Sequence, residues 1–354
     1  IQILEDSKEL ISGYLGNDKF GIDDVNKIET EDEKLIRAKT IYKDFESYGY
    51  TKEYLNEGIE QYNDFINFHF NVEFNGRTAN DDIYDINDTN YGDSNINNIK
   101  DSESHSTHVS GIISGDRHNN DGNKGINNLV EIMVLRAIPN GDEYDKDVAR
   151  AIRYAVDNGA RIINGSFGKY FSSNPEWVID AIRYASDNDV LVIAAAGNES
   201  KDLDSLSNDN YPSDQFFNKN EFSNTFIKVG ASSINLNENF TAYFSNYGKV
   251  NVDIFAPGVD IYSSVPNNKY KFQSGTSMAS PVVSGIASLI MSYFPKLSAK
   301  KVKEIILESG IDIDIEIGNL GGNKHFREYS KSGKLVNAYN ALILASRSKR
   351  KWSL

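Results

Sequence analysis

Gly275-Thr276-Ser277-Met278-Ala279-Ser280-Pro281 leads into a run of small and apolar residues from Val282 to Met291. Together they read as a tight bend turning directly into a buried helix. Gly275 permits the bend, and Pro281 is expected in the first turn, where its missing N–H takes nothing from the hydrogen-bond ladder. Ser277 then stands at a helix N-terminus, where unpaired N–H groups and the positive dipole end favour developing negative charge. That position suits a hydroxyl nucleophile attacking a carbonyl. The competing reading is a serine that only caps a helix.

Outward from this helix the chain alternates helices with short apolar strands. His105 to Gly115 reads as a small-residue helix and Ile132-Met133-Val134-Leu135-Arg136-Ala137 as a buried strand. Val148 to Asn158 and Trp177 to Asn188 read as helices, and Arg161 to Asn164 as a strand. Val190 to Ala196 is apolar throughout, as expected for a strand covered on both faces, and Phe226 to Ala231 and Val252 to Ala256 follow. Ser298 caps a further helix carrying Val302, Ile305 and Ile306, and Leu335 to Ala345 reads as the last. This alternation argues for a three-layer α/β domain with a mostly parallel central sheet. Ligands bind such sheets at the carboxyl ends of the strands. Asn164-Gly165-Ser166-Phe167-Gly168 and Gly197-Asn198-Glu199 both lie just past strand ends.

The region before this pattern has a different texture. Val25, Ile28, Leu35, Ile36, Tyr42 and Phe45 recur at helical spacing, and after Gly49 so do Leu55, Ile59, Tyr62 and Ile66. The spacing predicts a helical hairpin, and residues 1–72 are assigned as a helical accessory subdomain, with His69 a packed histidine rather than a ligand. Residues 71–104, rich in Asn and Asp, read as a long irregular loop. Such carboxylates and amides suit calcium, but the EF-hand spacing is not met, so solvated loops are expected here and at His118 to Asn123. Residues 73–346 form the main domain, and 347–354, with Arg347, Lys349, Arg350 and Lys351, a basic solvated tail.

Composition excludes several classes. The chain has 354 residues, 39% hydrophobic, with a formal charge of −14 and no cysteine. The charge argues against nucleic acid as a partner. The absence of cysteine excludes disulfides, zinc–thiolate sites and thiol nucleophiles. No run of eighteen apolar residues exists, so no transmembrane helix is expected. Ile1 to Asp6 lacks the basic start and apolar core of a signal peptide. The Gly-x-Ser-x-Gly elbow fails at Asn164, and no phosphate-binding loop is present.

The ordered motifs resemble those of subtilases, the peptidase S8 family of serine proteases. His105-Ser106-Thr107-His108-Val109-Ser110-Gly111 is similar to the family's histidine motif and Ala195-Ala196-Gly197-Asn198 to its oxyanion motif. Gly275 to Pro281 matches its serine motif at every position, and Asn164 to Gly168 is similar to its substrate strand. Tyr211-Pro212-Ser213 and Phe255-Ala256-Pro257-Gly258 add to the likeness, which covers roughly residues 73 to 345. The insertion before the histidine looks most like subtilases of the Bacteroidetes type. The resemblance implies a secreted or cell-envelope bacterial endopeptidase acting on polypeptides, with no required cofactor and with calcium as an optional ligand. It implies Ser277 as nucleophile, His105 as general base and Asn198 as oxyanion donor beside the Ser277 N–H. Ser166, Phe167 and Gly168 would pair with the substrate, and Ala195, Ala196 and Gly197 would wall the pocket for the residue before the scissile bond. Glu199, at that pocket's mouth, would tolerate a basic residue, and His108 would be structural.

One part of the pattern is missing. The family carries its catalytic aspartate at the end of a first core strand, in a motif like Val-Ile-Asp-Ser-Gly, and nothing before His105 fits it. Asp6-Ser7 lacks the strand and the glycine, and Asp23, Asp85 and Asp101 lie in helical or polar-loop contexts. The expectation is a fragment that begins just after that strand, the carboxylate being supplied by a propeptide or a missing N-terminal segment, with an unfilled or foreign-filled strand position beside the strand ending near Ala137. The alternative is a catalytically inactive subtilase-like peptide-binding domain.

Overall fold

The computed structural model describes residues 1–47, 65–97, 103–215, 220–318 and 324–350, together with Asn56, Gly58, Ile59, Tyr62, Asn63 and Gly322. The chain divides into two compact units, Ile1–Gly76 and Arg77–Leu354. The first is built on helices α1 (Gln2–Leu15), α2 (Ile22–Asn26) and α3 (Glu33–Ser47). Leu4 and Ile11 of α1 join Val25, Ile28, Leu35, Ala38 and Tyr42 in one apolar cluster. The helical spacing from Val25 onward thus belongs to two helices, and α1 is a third that the spacing did not announce. Gly16 ends α1 at φ 64°, a left-handed cap that glycine adopts without strain. Within the helix expected from Leu55 to Ile66, Asn56, Gly58, Ile59, Tyr62 and Asn63 are helical and Phe65–His69 is a π-helical turn, and the rest lies outside the described residues.

The second unit carries α4 (His105–Ser114), α5 (Asp145–Asp157), β1 (Ile162–Gly165), α6 (Pro175–Asp187), β2 (Leu191–Ala195), β3 (Phe226–Ser232) and β4 (Ile254–Pro257). A hairpin of β5 (Ile261–Val265) and β6 (Lys269–Gln273) precedes α7 (Thr276–Tyr293) and α8 (Ala299–Ser309). Short strands β7 (Ile311–Asp312), β8 (Glu316–Ile317), β9 (Lys324–His325) and β10 (Lys334–Leu335) lead to α9 (Ala338–Arg350). The last helix therefore runs into the basic residues expected to form a loose tail.

The central sheet runs β1-β2-β3-β4-β10-β7, parallel except for the β10–β7 pair. Strand β2 explains the three layers. Side chains alternate across a strand, so Leu191 and Ile193 enter the cluster with Val283, Ile286 and Ile290 of α7 and Val302 and Ile305 of α8. Val192 and Ala194 enter the opposite cluster with Val148 and Ile152 of α5 and Val178 and Ile182 of α6. Ser298 caps α8, its side chain accepting the Lys301 N–H at 3.2 Å. Ser298→Ala is expected to cost about 1 kcal/mol, read as a lower urea midpoint.

Two expectations need correction. Ile132 to Ala137 is not a strand, and Ile132, Met133 and Val134 are 39%, 42% and 41% exposed. Its composition is that of a buried strand, but among the described residues no neighbouring strand pairs with it, and β1 stands at the edge of the sheet. A strand's apolar pattern yields a ladder only when a partner takes its N–H and C=O groups. The loop from Arg77 is irregular as expected, and Asp82, Asp85 and Asp93 are exposed, but Arg77 and Asp81 are not solvated. Asp81 and Lys146 pair with both side chains 1% exposed, and Arg77 binds Asp81 at 2.6 Å and Asp147 at 2.7 Å. The Tyr91 hydroxyl donates to Asp147 at 2.7 Å, and Arg77 lies over the Tyr91 ring. Opposite charges that satisfy one another can be buried where single ones cannot, and loop composition cannot reveal that pairing.

A second buried ionic cluster joins the loop Asn210–Gln215 to β3, β4 and α8. It holds Asp214, Lys228, Asp253 and Lys303, with Glu221 and Lys331 at its rim. Burial, then the nearby Asp253 charge, pushes the Asp214 carboxyl up to about 8 from 3.8. The folded protein keeps a proton on Asp214 that the unfolded chain has already released, so this group's contribution to stability falls as pH rises from about 4 to about 8. Urea unfolding at about pH 5 and about pH 8 should show the wild type losing more stability across that interval than Asp214→Asn.

Candidate active site

The start of α7 is shaped by a proline one turn later than expected. Pro281 lies in the second turn of the helix, so the Ser277 carbonyl has no i+4 N–H to accept. Ser166 Oγ takes that place, donating to the Ser277 carbonyl at 2.9 Å, while Ser277 Oγ donates to the Ser166 carbonyl at 3.1 Å. Asn164 braces the pair from β1. Its Nδ2 donates to Ser166 Oγ at 2.9 Å, and its Oδ1 accepts from Ser280 at 2.9 Å and Ser284 at 2.8 Å. The small residues of the helix thus form a polar seam that locks Ser277 to the end of β1. Ser277 itself is half-buried.

Asn198 is oriented by Thr276. The Thr276 N–H donates to Asn198 Oδ1 at 2.8 Å and Thr276 Oγ1 donates to the same oxygen at 3.0 Å. A backbone N–H can only be received by the amide oxygen, so Nδ2 must face the other way. Nδ2 and the Ser277 N–H, in the first turn of α7, carry no hydrogen bond among the described residues. Both donors lie beside Gly275, Asn198 Nδ2 3.5 Å and the Ser277 nitrogen 3.6 Å from where a Cβ on that glycine would stand. Thr276, fully buried and also accepting the Gly197 N–H at 3.0 Å, is the residue sequence reasoning passed over. Its only signal was its place in the quoted heptapeptide.

His105 opens α4, which packs on α7 through Val109 and Ile112 against Met278. The hairpin β5–β6 holds that helix. Ser263 Oγ donates to the His108 carbonyl at 2.7 Å, and a Cβ on Gly111 would stand 2.4 Å from Ser263 Oγ. His108 is fully buried, with Nε2 donating to the Lys271 carbonyl at 3.1 Å, and it holds the helix rather than facing the site. His105 is exposed at the site's rim, and its ring makes no hydrogen bond among the described residues. Desolvation by the protein around this concave rim, then the neighbouring His108, lowers its pKa. The imidazole is therefore uncharged at neutral pH, the form a general base requires. No described carboxylate pairs with it.

The remaining predicted residues lie along the same edge. Ser166 is 9% exposed, Phe167 packs on the α5–α6 side of the sheet, and Gly168 is exposed. Ala195 and Ala196 are buried, and Gly197 has φ 101°, a conformation that strains residues bearing a Cβ. A Cβ there would also stand 2.3 Å from Asn246 Nδ2 and 2.7 Å from Glu199. Glu199 accepts from Asn246 Nδ2 at 2.9 Å and from the Tyr170 hydroxyl, whose pKa burial and this carboxylate raise. Asn246 and Tyr170 thus close over Gly197, a constellation the sequence did not signal. Among the described residues, no three or more His, Cys, Asp and Glu side chains cluster to hold a metal ion, and no helix is long and apolar enough to cross a membrane.

Several known proteins are similar to this chain. The chain is 35% identical over 234 residues to a cell wall-associated protease of Bacillus subtilis (strain 168), covering 66% of this chain and 24% of that protein. It is 38% identical over 210 residues to a thermophilic serine proteinase of Bacillus sp. (strain AK1), covering 59% and 46%. The chain therefore spans less than half the length of these two relatives. Among solved structures, the prenylagaramide maturation protease PagA matches at a TM-score of 0.52 and 28% identity, covering 68% of this chain and 82% of that one. A protease of Pseudoalteromonas arctica PAMC 21717 matches at a TM-score of 0.56 and 25% identity, covering 68% and 70%. The profile of the Subtilase family, Peptidase_S8, matches residues 39–333, and with the serine, amide and histidine motifs set around one sheet edge, the chain belongs to that family.

Proposed function

We propose that this chain is the catalytic domain of a serine endopeptidase that hydrolyses peptide bonds through an acyl-enzyme on Ser277, outside the cell or at its envelope. The observation that carries this reading is the pair of donors without a described partner, Asn198 Nδ2 and the Ser277 N–H, that meet beside Gly275 at the start of the helix carrying Ser277. Oγ attacks the scissile carbonyl and its proton passes to His105. The carbonyl oxygen becomes an oxyanion between the two donors, and His105 returns the proton to the leaving amine. Water then repeats the sequence to release the acyl group. Ser166 to Gly168 takes the substrate as an added strand. Glu199, held in place by Asn246 and Tyr170, offers its remaining oxygen to a basic residue before the scissile bond. Calcium remains an optional ligand with no role in these steps.

The triad's carboxylate comes, on this reading, from a strand added at the edge of β1, as part of a propeptide or other separate segment. Among the described residues no strand pairs with the outer edge of β1, the apolar Ile132–Val134 stands exposed, and both β1 and α4 meet the start of α7. A second reading, a peptide-binding domain without catalysis, is favoured by one observation: the Ser277 hydroxyl donates to the Ser166 carbonyl rather than to His105. Fluorophosphonate treatment separates the two. Label on the tryptic peptide holding Ser277, absent from Ser277→Ala, supports the enzyme. Peptide affinity retained with no label, even with the carboxylate strand supplied, supports the binding domain.

A further inference from the structure

The substrate-binding edge is backed by a second loop, and that loop is held by a buried charge. Lys169 and Tyr211 exchange two backbone hydrogen bonds, at 2.9 Å and 2.8 Å. One residue before, a Cβ on Gly168 would stand 2.9 Å from the Tyr211 carbonyl and 3.5 Å from Asn210 Nδ2, so the edge lies flush on this loop. Asn210, 5% exposed, is in turn gripped from behind by Lys228 of β3. Lys228 is 2% exposed, and its Nζ donates to Asn210 Oδ1 at 2.8 Å and to the Asn210 carbonyl at 3.2 Å. A buried ammonium is costly unless paired. An apolar side chain would meet the packing demand of a central strand more simply. None of the chemical steps above uses this group.

We propose that Lys228 is a positioning residue for peptide binding: its ammonium fixes Asn210, and through Asn210 and Tyr211 it fixes the backbone at Gly168 and Lys169 on which an extended substrate pairs. The inference rests on Ser166–Gly168 being the peptide-binding strand. It also makes binding depend on pH. The groups facing Lys228 are Asp209 and Asp214 from the loop and Asp253 from β4, with Lys303, Glu221 and Lys331 around Asp214. Burial outweighs the three aspartates and lowers Lys228 to about 8. Above that pH the amine is neutral, and its bonds to Asn210 lose the charge that makes them strong.

The test compares two probes of Ser277 in the full chain: diisopropyl fluorophosphate, which needs no strand pairing, and a tetrapeptidyl diphenyl phosphonate, which does. Lys228→Met and Asn210→Ala should each slow the peptidyl probe about tenfold while the small probe changes less than about twofold. In an Asp214→Asn background, which removes the other group near 8, the peptidyl-to-small rate ratio should fall as pH rises through about 8, and adding Lys228→Met should flatten it. A ratio unmoved by either substitution, or a pH dependence that survives Lys228→Met, overturns the proposal. If Lys228→Met does not fold, Asn210→Ala carries the test. If the small probe never labels Ser277, the catalytic reading fails separately, and amide exchange at Lys169 and Tyr211 decides this one. Faster exchange in Asn210→Ala at fixed pH supports the proposal, and unchanged protection overturns it.

Discussion

Supplying a carboxylate beside His105 is expected to accelerate acylation of Ser277 by about 10⁴-fold, the scale on which a serine protease triad depends on its acid. His105 is uncharged at neutral pH, its pKa lowered by desolvation and by His108. When it takes the Ser277 proton it becomes an imidazolium with no described counter-charge, and nothing selects the tautomer that leaves Nε2 free to accept. An apolar strand that pairs with the β1 edge and ends in aspartate would supply both. Half-buried Ile162 and Ile163 and the exposed Ile132, Met133 and Val134 offer it apolar flanks. The measurement is the rate of fluorophosphonate labelling with and without a synthetic strand peptide. The control is the same peptide ending in asparagine, which should bind equally and accelerate little. Equal acceleration by both peptides would assign the effect to filling the sheet edge. No acceleration by either would remove the β1 edge as the entry point.

In the completed enzyme, Asn198→Ala is expected to lower kcat by about 10²–10³ with KM little changed, the loss found when a subtilisin's oxyanion amide is removed. Thr276 fixes the Asn198 oxygen with two hydrogen bonds, at 2.8 Å and 3.0 Å, which on the proposed reading leaves Nδ2 for the place where charge develops. That interaction belongs to the transition state, so its removal appears in kcat. Thr276→Val keeps the N–H bond and loses the hydroxyl one, so it should lower kcat in the same direction by less. A fall confined to KM in Asn198→Ala would place this amide in ground-state binding instead.

Much of this site could be read along the chain because its parts are local. Ser277 at a helix start, Asn198 after an apolar strand and the Asn164 to Gly168 edge each depend on a few consecutive residues. The layers followed for the same reason, since β2 is apolar at every position and can only be covered on both faces. Failures came where distant residues decide. Ile132 to Ala137 has a strand's composition and no partner to pair with. The loop near Asp81 looks solvated until Lys146 and Asp147 arrive from elsewhere in the sequence to pair with Asp81 and Arg77.

The order of motifs and the alternation of helix and strand were settled by the sequence alone, because backbone periodicity and residue type act over a few neighbours. Only the folded chain decided which groups meet: Thr276 turning Asn198, Pro281 freeing a carbonyl for Ser166, Lys228 gripping Asn210. Hydrogen bonds and buried charges act across gaps in sequence that no local pattern records, and an apolar segment becomes a strand only when a second one lies beside it.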